Sequence, residues 1–460
     1  MSKAPLFESR NPATGALLES YVGHTPAEVG RRLEAAGRAA HTWRGTDIAL
    51  RAGLLRSAAE LLRQRADSLA ELMAREMGKP VGQGRGEAEK CAWVCEYYAE
   101  QGEQFLQGRD IDTDKGDSFV HYAPLGVVLA IMPWNFPLWQ VFRFAAPNLL
   151  AGNVGLLKHA SNVSGCALAI ESLLTEAGFA PGCFQTLLVE GETAGKLIGD
   201  DTIAAVTLTG STAAGRKVAE QAGRALKPCV LELGGSDPYV ILEDADLDLA
   251  VETCVASRLQ NTGQSCIAAK RFIVSRALRE RFEDALVEAM RNKAHGDPLD
   301  DPDLGPMARP DLRDELHRQV EDSVEAGARC LLGCQMGEGD GHYYPASVLT
   351  DVAPGMPAYG EELFGPVAAI IPADDEAHAI QIANDTSFGL GAAVFTQDLE
   401  RGRRIAAQEL RAGNCVVNTM VQSDPRLPFG GIKDSGMGRE LSIEGIRAFC
   451  NVKTVLVGKS

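Results

Sequence analysis

Between residues 155 and 235 the chain alternates short apolar runs with stretches of helical periodicity. GLLKHA (155–160) reads as a strand and 164–177 as a helix stopped by Gly178; FQTLLVE is a strand, ETAGKLIGD a helix, AAVTLTG a strand, TAAGRKVAEQAG a helix and PCVLELGG a strand. Strands separated by whole helices cannot close into hairpins. They pair in parallel with helices on their faces, which is an open α/β sheet. A second block repeats the pattern from about residue 245: helix 246–260, a cysteine loop with its own helix, strand RFIVS, helix 277–293, then ARCLLGC, PASVLTDV, VAAIIPA, helix 375–384, AAVFTQ, helix 398–409 and GNCVVN. Two such blocks meeting near 235–245 predict a cleft between them, and open α/β sheets bind ligands at the carboxyl ends of their strands.

The rest of the chain is less regular. Residues 26–75 read as two helices, because Leu54, Leu55, Ala58, Leu61, Leu62, Leu69 and Leu72 recur near helical spacing, and 83–106 reads as another. SFVHYAPLGVVLAIMPW reads as strands turning at Pro124, and the tail TVLVG as a strand that needs a partner segment or subunit.

Composition narrows the class. A net charge of −17 repels nucleic acid and anionic membrane surfaces, so neither is an expected partner. The first residues contain no apolar signal core, and the most apolar stretches are broken by Pro and Asn well short of a span. Eleven cysteines, an odd number without a framework, suit reduced thiols in a cytoplasm. Cys91 and Cys95, like Cys330 and Cys334, are four apart and could share a helix face, but no partner at zinc spacing accompanies them, so no metal is expected.

Four segments carry candidate chemistry. In VTLTGSTAAGRKVAE an apolar strand runs into Gly210-Ser211 and a helix containing Gly215; the free N–H groups of that junction suit a phosphate, although the usual G-x-G-x-x-G is absent. Glu232 lies in the apolar run LELGG, as a solvent-facing edge residue or as a buried carboxyl suited to proton transfer. Cys266 follows Gly-Gln-Ser in a polar loop, where a helix expected to begin at SCIAAKRF would favour the thiolate; most cysteines merely pack. Asn135 sits between prolines in IMPWNFPLWQ, either an ordinary turn residue or an amide donor for an oxyanion.

The segments PWNFP, LTGST, LELGG, GQSC, EELFGP and PFGGIKDSGMGRE, in this order, resemble the NAD(P)-dependent aldehyde dehydrogenase superfamily, from NPATG at 11–15 to the terminal strand. The resemblance implies two open, Rossmann-like α/β domains with a small β oligomerisation flap. Residues 1–108 and 126–234, with 434–446 returning, would bind cofactor, 235–433 would be catalytic, and 109–125 with 447–458 would join subunits into a homodimer or dimer of dimers. It implies that Cys266 attacks an aldehyde, that Asn135 and the Cys266 N–H hold the oxyanion, and that Glu232 activates water to hydrolyse the thioester. Members passing the acyl group to coenzyme A or phosphate lack that base.

For the cofactor the resemblance implicates Trp134, Lys158, Gly210, Ser211, Gly215, Glu362 and Phe364. Ser161 stands where NAD-preferring members often carry Glu, so NADP is the expected cofactor, with NAD the alternative. His159 replaces the proline usual there. MPWNFPLWQVFR, LLKHASNV, LELGGSDP and SDPRLPFGG are most similar to the shorter bacterial members acting on succinate semialdehyde. An acid-bearing substrate needs a cation, and Arg143, one helical turn beyond Trp139, is the expected one, with Ser423 adding a hydroxyl. Other readings are a dehydrogenase for another aliphatic or acid-bearing aldehyde such as glutarate semialdehyde, a thiol hydrolase, and a non-catalytic protein on this fold.

Overall fold

The computed structural model describes residues 4–337, 339 and 341–458. An antiparallel hairpin, β1 (Leu6–Arg10) and β2 (Leu17–Val22), precedes four helices: α1 (Pro26–Trp43), α2 (Ile48–Gln64), α3 (Ala66–Met77) and α4 (Val81–Leu106). Residues 26–75 therefore hold three helices rather than two. Only Arg65 separates α2 from α3, so no Gly or Pro marks the break and the leucine periodicity runs through it. The start of α1 is well signalled: Thr25 and Glu28 form a reciprocal capping box beside Pro26.

After the antiparallel pair β3 (Arg109–Ile111) and β4 (Gly116–Pro124) come the strands that position the site. These are β5 (Val127–Met132), β6 (Val154–His159), β7 (Phe184–Thr186), β8 (Ile203–Thr209) and β9 (Cys229–Glu232). They are joined by α5 (Trp139–Ala151), α6 (Ser164–Glu176), α7 (Gly191–Leu197) and α8 (Thr212–Arg224). The five strands are parallel in the order β9-β8-β5-β6-β7. Their side chains are almost all buried, as expected where helices cover both faces. The chain steps outward from β5 through β6 to β7 and then returns to the other side of β5 as β8. The crevice between the carboxyl ends of β5 and β8 is thus a topological switch point.

The second sheet contains β10 (Pro238–Ile241), β11 (Arg271–Ser275), β12 (Arg329–Leu332), β13 (Ser347–Thr350), β14 (Val367–Ala373), β15 (Gly391–Phe395) and β16 (Asn414–Val417). Their order is β12-β13-β14-β11-β10-β15-β16, parallel except for β12. The short β17 (Gly436–Met437) returns to pair with β9, setting Gly436 opposite Glu232. The tail strand β18 (Cys450–Gly458) finds its partner inside the chain, running antiparallel along β4 from Cys450 opposite Pro124 to Gly458 opposite Gly116. Among the described residues no helix is long and apolar enough to cross a membrane.

Two expectations are corrected. Cys266 does not start a helix: residues 264–270 form turns that lead straight into β11. The carbonyls of Ser265, Cys266 and Ala268, which a helix would need as acceptors, instead receive the Lys270 ammonium at 2.9, 2.9 and 3.2 Å. Cys330 and Cys334 do not share a helix face either, since Cys330 is in β12 and Cys334 follows it in a left-handed conformation (φ 66°).

Candidate active site

β5 delivers the segment Pro133–Pro137 to the switch point, and α4 fixes it there. One oxygen of the buried Glu87 accepts the N–H groups of Leu138 and Trp139 at 2.8 and 2.9 Å, which caps the start of α5. Its other oxygen pairs with the buried Lys79, whose ammonium also lies 3.9 Å from the centre of the Phe136 ring. His159, in the place of the expected proline, ties β6 to the same segment. Its Nδ1 accepts the Ala160 N–H at 2.9 Å, so Nε2 carries the proton and donates to the Pro137 carbonyl at 2.9 Å. Burial lowers this ring to about 4, so it is neutral.

The loop bearing Cys266 is shaped by three consecutive left-handed residues, Asn261, Thr262 and Gly263 (φ 54°, 56° and 74°). A Cβ on Gly263 would lie 2.3 Å from the Gly365 carbonyl oxygen, so only glycine fits. Two non-glycine residues in this region cost about 1–3 kcal/mol each, which the surroundings must over-determine. They do so with amides: the Asn261 side chain donates to the Asn135 and Gln264 carbonyls at 2.8 and 3.1 Å, and Asn135 donates to the Gln264 carbonyl at 3.1 Å. Asn135 and the cysteine loop are thereby one knitted unit. The Asn135 amide keeps a second N–H beyond the one given to Gln264.

Cys266, half-buried, faces a cavity of about 1000 Å³ that Trp139, Arg143 and Ser423 also line. Trp139 and Arg143 share one face of α5, as their spacing predicted. Burial pushes the Cys266 thiol up to about 12, and the positive charges of Arg143 and Lys270 pull the other way. With no helix at this cysteine, those two cations are its thiolate-stabilising surroundings. The Arg143 guanidinium is not idle, however. It forms a buried ion pair with Glu440, donates to Thr209 Oγ1 at 3.2 Å and lies 4.9 Å from the centre of the Phe429 ring.

Glu232, the last residue of β9, is 2 % exposed, and among the described residues neither carboxylate oxygen has a hydrogen-bond partner. The edge-strand reading is excluded by that burial. Its carboxyl is driven well above the usual range, first by burial and then by the neighbouring Glu440, while Arg143 and Arg439 oppose the shift. It sits behind the cavity wall against Gly430, where a Cβ would come within 2.7 Å of Oε1. Arg143 therefore acts electrostatically on both Cys266 and Glu232.

The remaining residues gather at the strand ends. Ser211 caps α8, its Oγ accepting the Ala214 N–H at 3.3 Å. Gly215 allows α8 to close on Leu233, which a Cβ would meet at 2.5 Å. Lys158, half-buried at the end of β6, is lowered by burial and pairs with no carboxylate among the described residues; Ser161 beyond it is exposed. Trp134 meets Phe364 edge-on, with centroids 5.9 Å apart. Glu362 accepts the Gly235 N–H at 3.0 Å and approaches Lys270 to 3.5 Å. A Cβ on Gly234 would lie 2.5 Å from Glu362, so the backbone there is kept bare. A helix N-terminus, an unpaired lysine, a bare Gly-Gly and an aromatic edge at a switch point fit a nicotinamide dinucleotide.

Three residues escaped sequence reasoning: Lys90, Lys270 and Glu440. Lys90 lies in no quoted segment, whereas Lys270 and Glu440 lie in SCIAAKRF and GMGRE, so only their partners were hidden.

Comparison with known proteins adds an independent line. The profile of the aldehyde dehydrogenase family matches residues 1–455. A Synechocystis protein named "Probable succinate-semialdehyde dehydrogenase (NADP(+))" is 50% identical over 448 residues, covering 97% of this chain and 98% of its own. The Escherichia coli succinate semialdehyde dehydrogenase named for NAD(P)+ is 48% identical, covering 97% of each chain. The crystal structure of succinic semialdehyde dehydrogenase from Streptococcus pyogenes in complex with NADP+ superposes with a TM-score of 0.96 at 35% identity, over 98% of this chain and 100% of that one.

Proposed function

The chain belongs to the aldehyde dehydrogenase family, and within it we propose that it oxidises succinate semialdehyde to succinate, with NADP preferred over NAD. The observation that carries this reading is that one cavity holds Cys266 together with Lys90, Trp139, Arg143 and Ser423, a nucleophile beside cationic and hydrogen-bond-donating groups suited to an acid-bearing aldehyde. The names of the similar enzymes from Synechocystis and Streptococcus support the substrate and the cofactor.

In this account Cys266 Sγ, its thiolate favoured by Arg143 and Lys270, bonds to the aldehyde carbon. The carbonyl oxygen becomes an oxyanion, held by the remaining Asn135 N–H and the Cys266 backbone N–H. Trp134, Lys158, Ser161, Gly210, Ser211, Glu362 and Phe364 would hold the nicotinamide dinucleotide, which supplies the hydride acceptor when bound. At the thioester stage Glu232 takes a proton from water as its oxygen attacks the acyl carbon, and Cys266 leaves as thiolate. Burial and Glu440 raise the proton affinity of this carboxylate above that of an exposed one, which suits a base, and among the described residues it has no hydrogen bond to break before turning toward Cys266. The neutral Ser161 leaves room for a 2′-phosphate that a carboxylate would repel.

The cavity volume leaves room for a longer chain, so glutarate semialdehyde is the second reading. The test follows formation of reduced cofactor with succinate semialdehyde, glutarate semialdehyde and butanal, each with NADP and with NAD. The expected result is the highest kcat/KM for succinate semialdehyde with NADP; a preference for butanal would remove the carboxylate from the account.

The sheet formed by β3, β4 and β18 leaves Val452, Leu456 and Val457 exposed, which supports a homo-oligomer built through this flap. Its proposed location is the cytoplasm.

A further inference from the structure

We propose that Lys90, on α4, is the cation that receives the substrate's distal carboxylate, with Ser423 and Trp139 completing the subsite. This rests on the reading of the substrate as an acid-bearing aldehyde, and it places the charge on Lys90 where the sequence suggested Arg143.

Three basic side chains line the cavity that contains Cys266: Lys90, Arg143 and Lys293. Arg143 is already engaged by Glu440 inside the protein, and Lys293 pairs with Asp303 at 3.0 Å. A second carboxylate brought to Arg143 would place two acids on one buried cation, which the desolvation of both opposes. Among the described residues no carboxylate lies within ion-pair distance of Lys90. Its Nζ donates to Ser423 Oγ at 2.9 Å and sits 4.4 Å from the centre of the Trp139 ring.

The donors around it lack acceptors. An ammonium offers three N–H bonds, and Ser423 takes one. Ser423, accepting from Lys90, keeps its own proton for donation. Among the described residues no acceptor meets the buried Trp139 Nε1–H. Three kinds of donor from three segments of the chain, with one positive charge and no acid among them, are the complement of a carboxylate. The ring of Trp139 also holds the ammonium in place, a restraint that reduces the entropy lost on binding. A short aldehyde with a terminal carboxylate would thus present its acid to α4 while its carbonyl lies at Cys266.

The test compares Lys90→Met and Lys90→Arg with the wild type on succinate semialdehyde and butanal, reading KM and kcat separately. In Lys90→Met the ratio of kcat/KM for succinate semialdehyde to that for butanal falls about ten-fold or more, the loss residing in KM. Lys90→Arg restores most of the ratio, which separates charge from folding. A second reading is pH. Burial and Arg143 lower Lys90 to about 8, against the opposing charges of Cys91 and Glu87 on its own helix and Asp424 on the facing loop. KM for succinate semialdehyde therefore rises above about pH 8, and this rise is absent for butanal. An unchanged ratio in Lys90→Met, beside a wild type that prefers the acid-bearing substrate, overturns the assignment of Lys90 alone. A wild type without that preference overturns the substrate reading and this assignment together.

Discussion

At the scale of single residues, Cys266 departs furthest from what its sequence suggested. Its motif marked a nucleophile, and the loop around it was expected to begin a helix whose dipole would favour the thiolate. The helix is absent, and the carbonyls it would have used receive the Lys270 ammonium instead. The activating charge comes instead from Arg143 and Lys270, and it works against a burial that pushes the thiol up to about 12. Below that value the thiolate fraction rises about ten-fold per pH unit. Inactivation by iodoacetamide is thus expected to be slow at neutral pH and to accelerate steadily well beyond pH 9 in the cofactor-free enzyme. A rate that levels off near neutrality would show that the thiol is already ionised. Glu232 and Asn135 were singled out for a different reason: short motifs give residue types, and their order carries the resemblance that implies their roles. Lys90 was not legible, because a lysine among the charges of an amphipathic helix looks like any solvated one until Trp139 and Ser423 close around it.

At the scale of elements, strand and helix periodicity located most of the α/β core, because strands buried on both faces read as unbroken apolar runs. The failures fall where one residue does two jobs. Arg65 ends α2 and begins α3 with no helix-breaking side chain, and FQTLLVE pairs only through Phe184–Thr186 before leaving the sheet. His159 is another such residue, fastening the end of β6 to the segment that carries Asn135. Its folded-state value of about 4 lies below the ordinary 6.5, so the unfolded chain binds the proton more readily. The stability this neutral ring contributes is full above about pH 6.5 and falls as pH drops toward 4, by about 3 kcal/mol in all. His159→Gln keeps a donor and cannot ionise. The destabilisation it causes, measured by denaturant unfolding, is expected to be smaller near pH 4.5 than near pH 7 by about 2 kcal/mol. An equal penalty at both values would mean that the ring already takes up a proton in the folded state.

At the scale of the whole molecule, two open sheets set their carboxyl ends toward one site, and β17 fastens the chain beyond β16 back onto β9 beside Glu232. That return brings Glu440 to Arg143, so the residue governing the charge behind the nucleophile comes from the far end of the sequence. Such a pairing is invisible to any local pattern. The flap is different: β4 and β18 were visible as β-branched runs, whereas β3 (Arg-Asp-Ile) came only with the resemblance and the register needed the structure. If the flap joins subunits, Val452→Asp with Leu456→Asp is expected to lower the mass found by light scattering, and a wild type already monomeric would remove the flap from assembly. The central claim is that an acyl group passes through Cys266 and is released by Glu232. Its most direct measurement is the intact mass of Glu232→Gln mixed with succinate semialdehyde and NADP, beside the yield of reduced cofactor. The account predicts a burst of up to about one cofactor per site followed by a stall, with a succinyl adduct that is lost when Cys266 is replaced by Ala. Steady turnover at the wild-type rate, or an unmodified Cys266 after the burst, would contradict it.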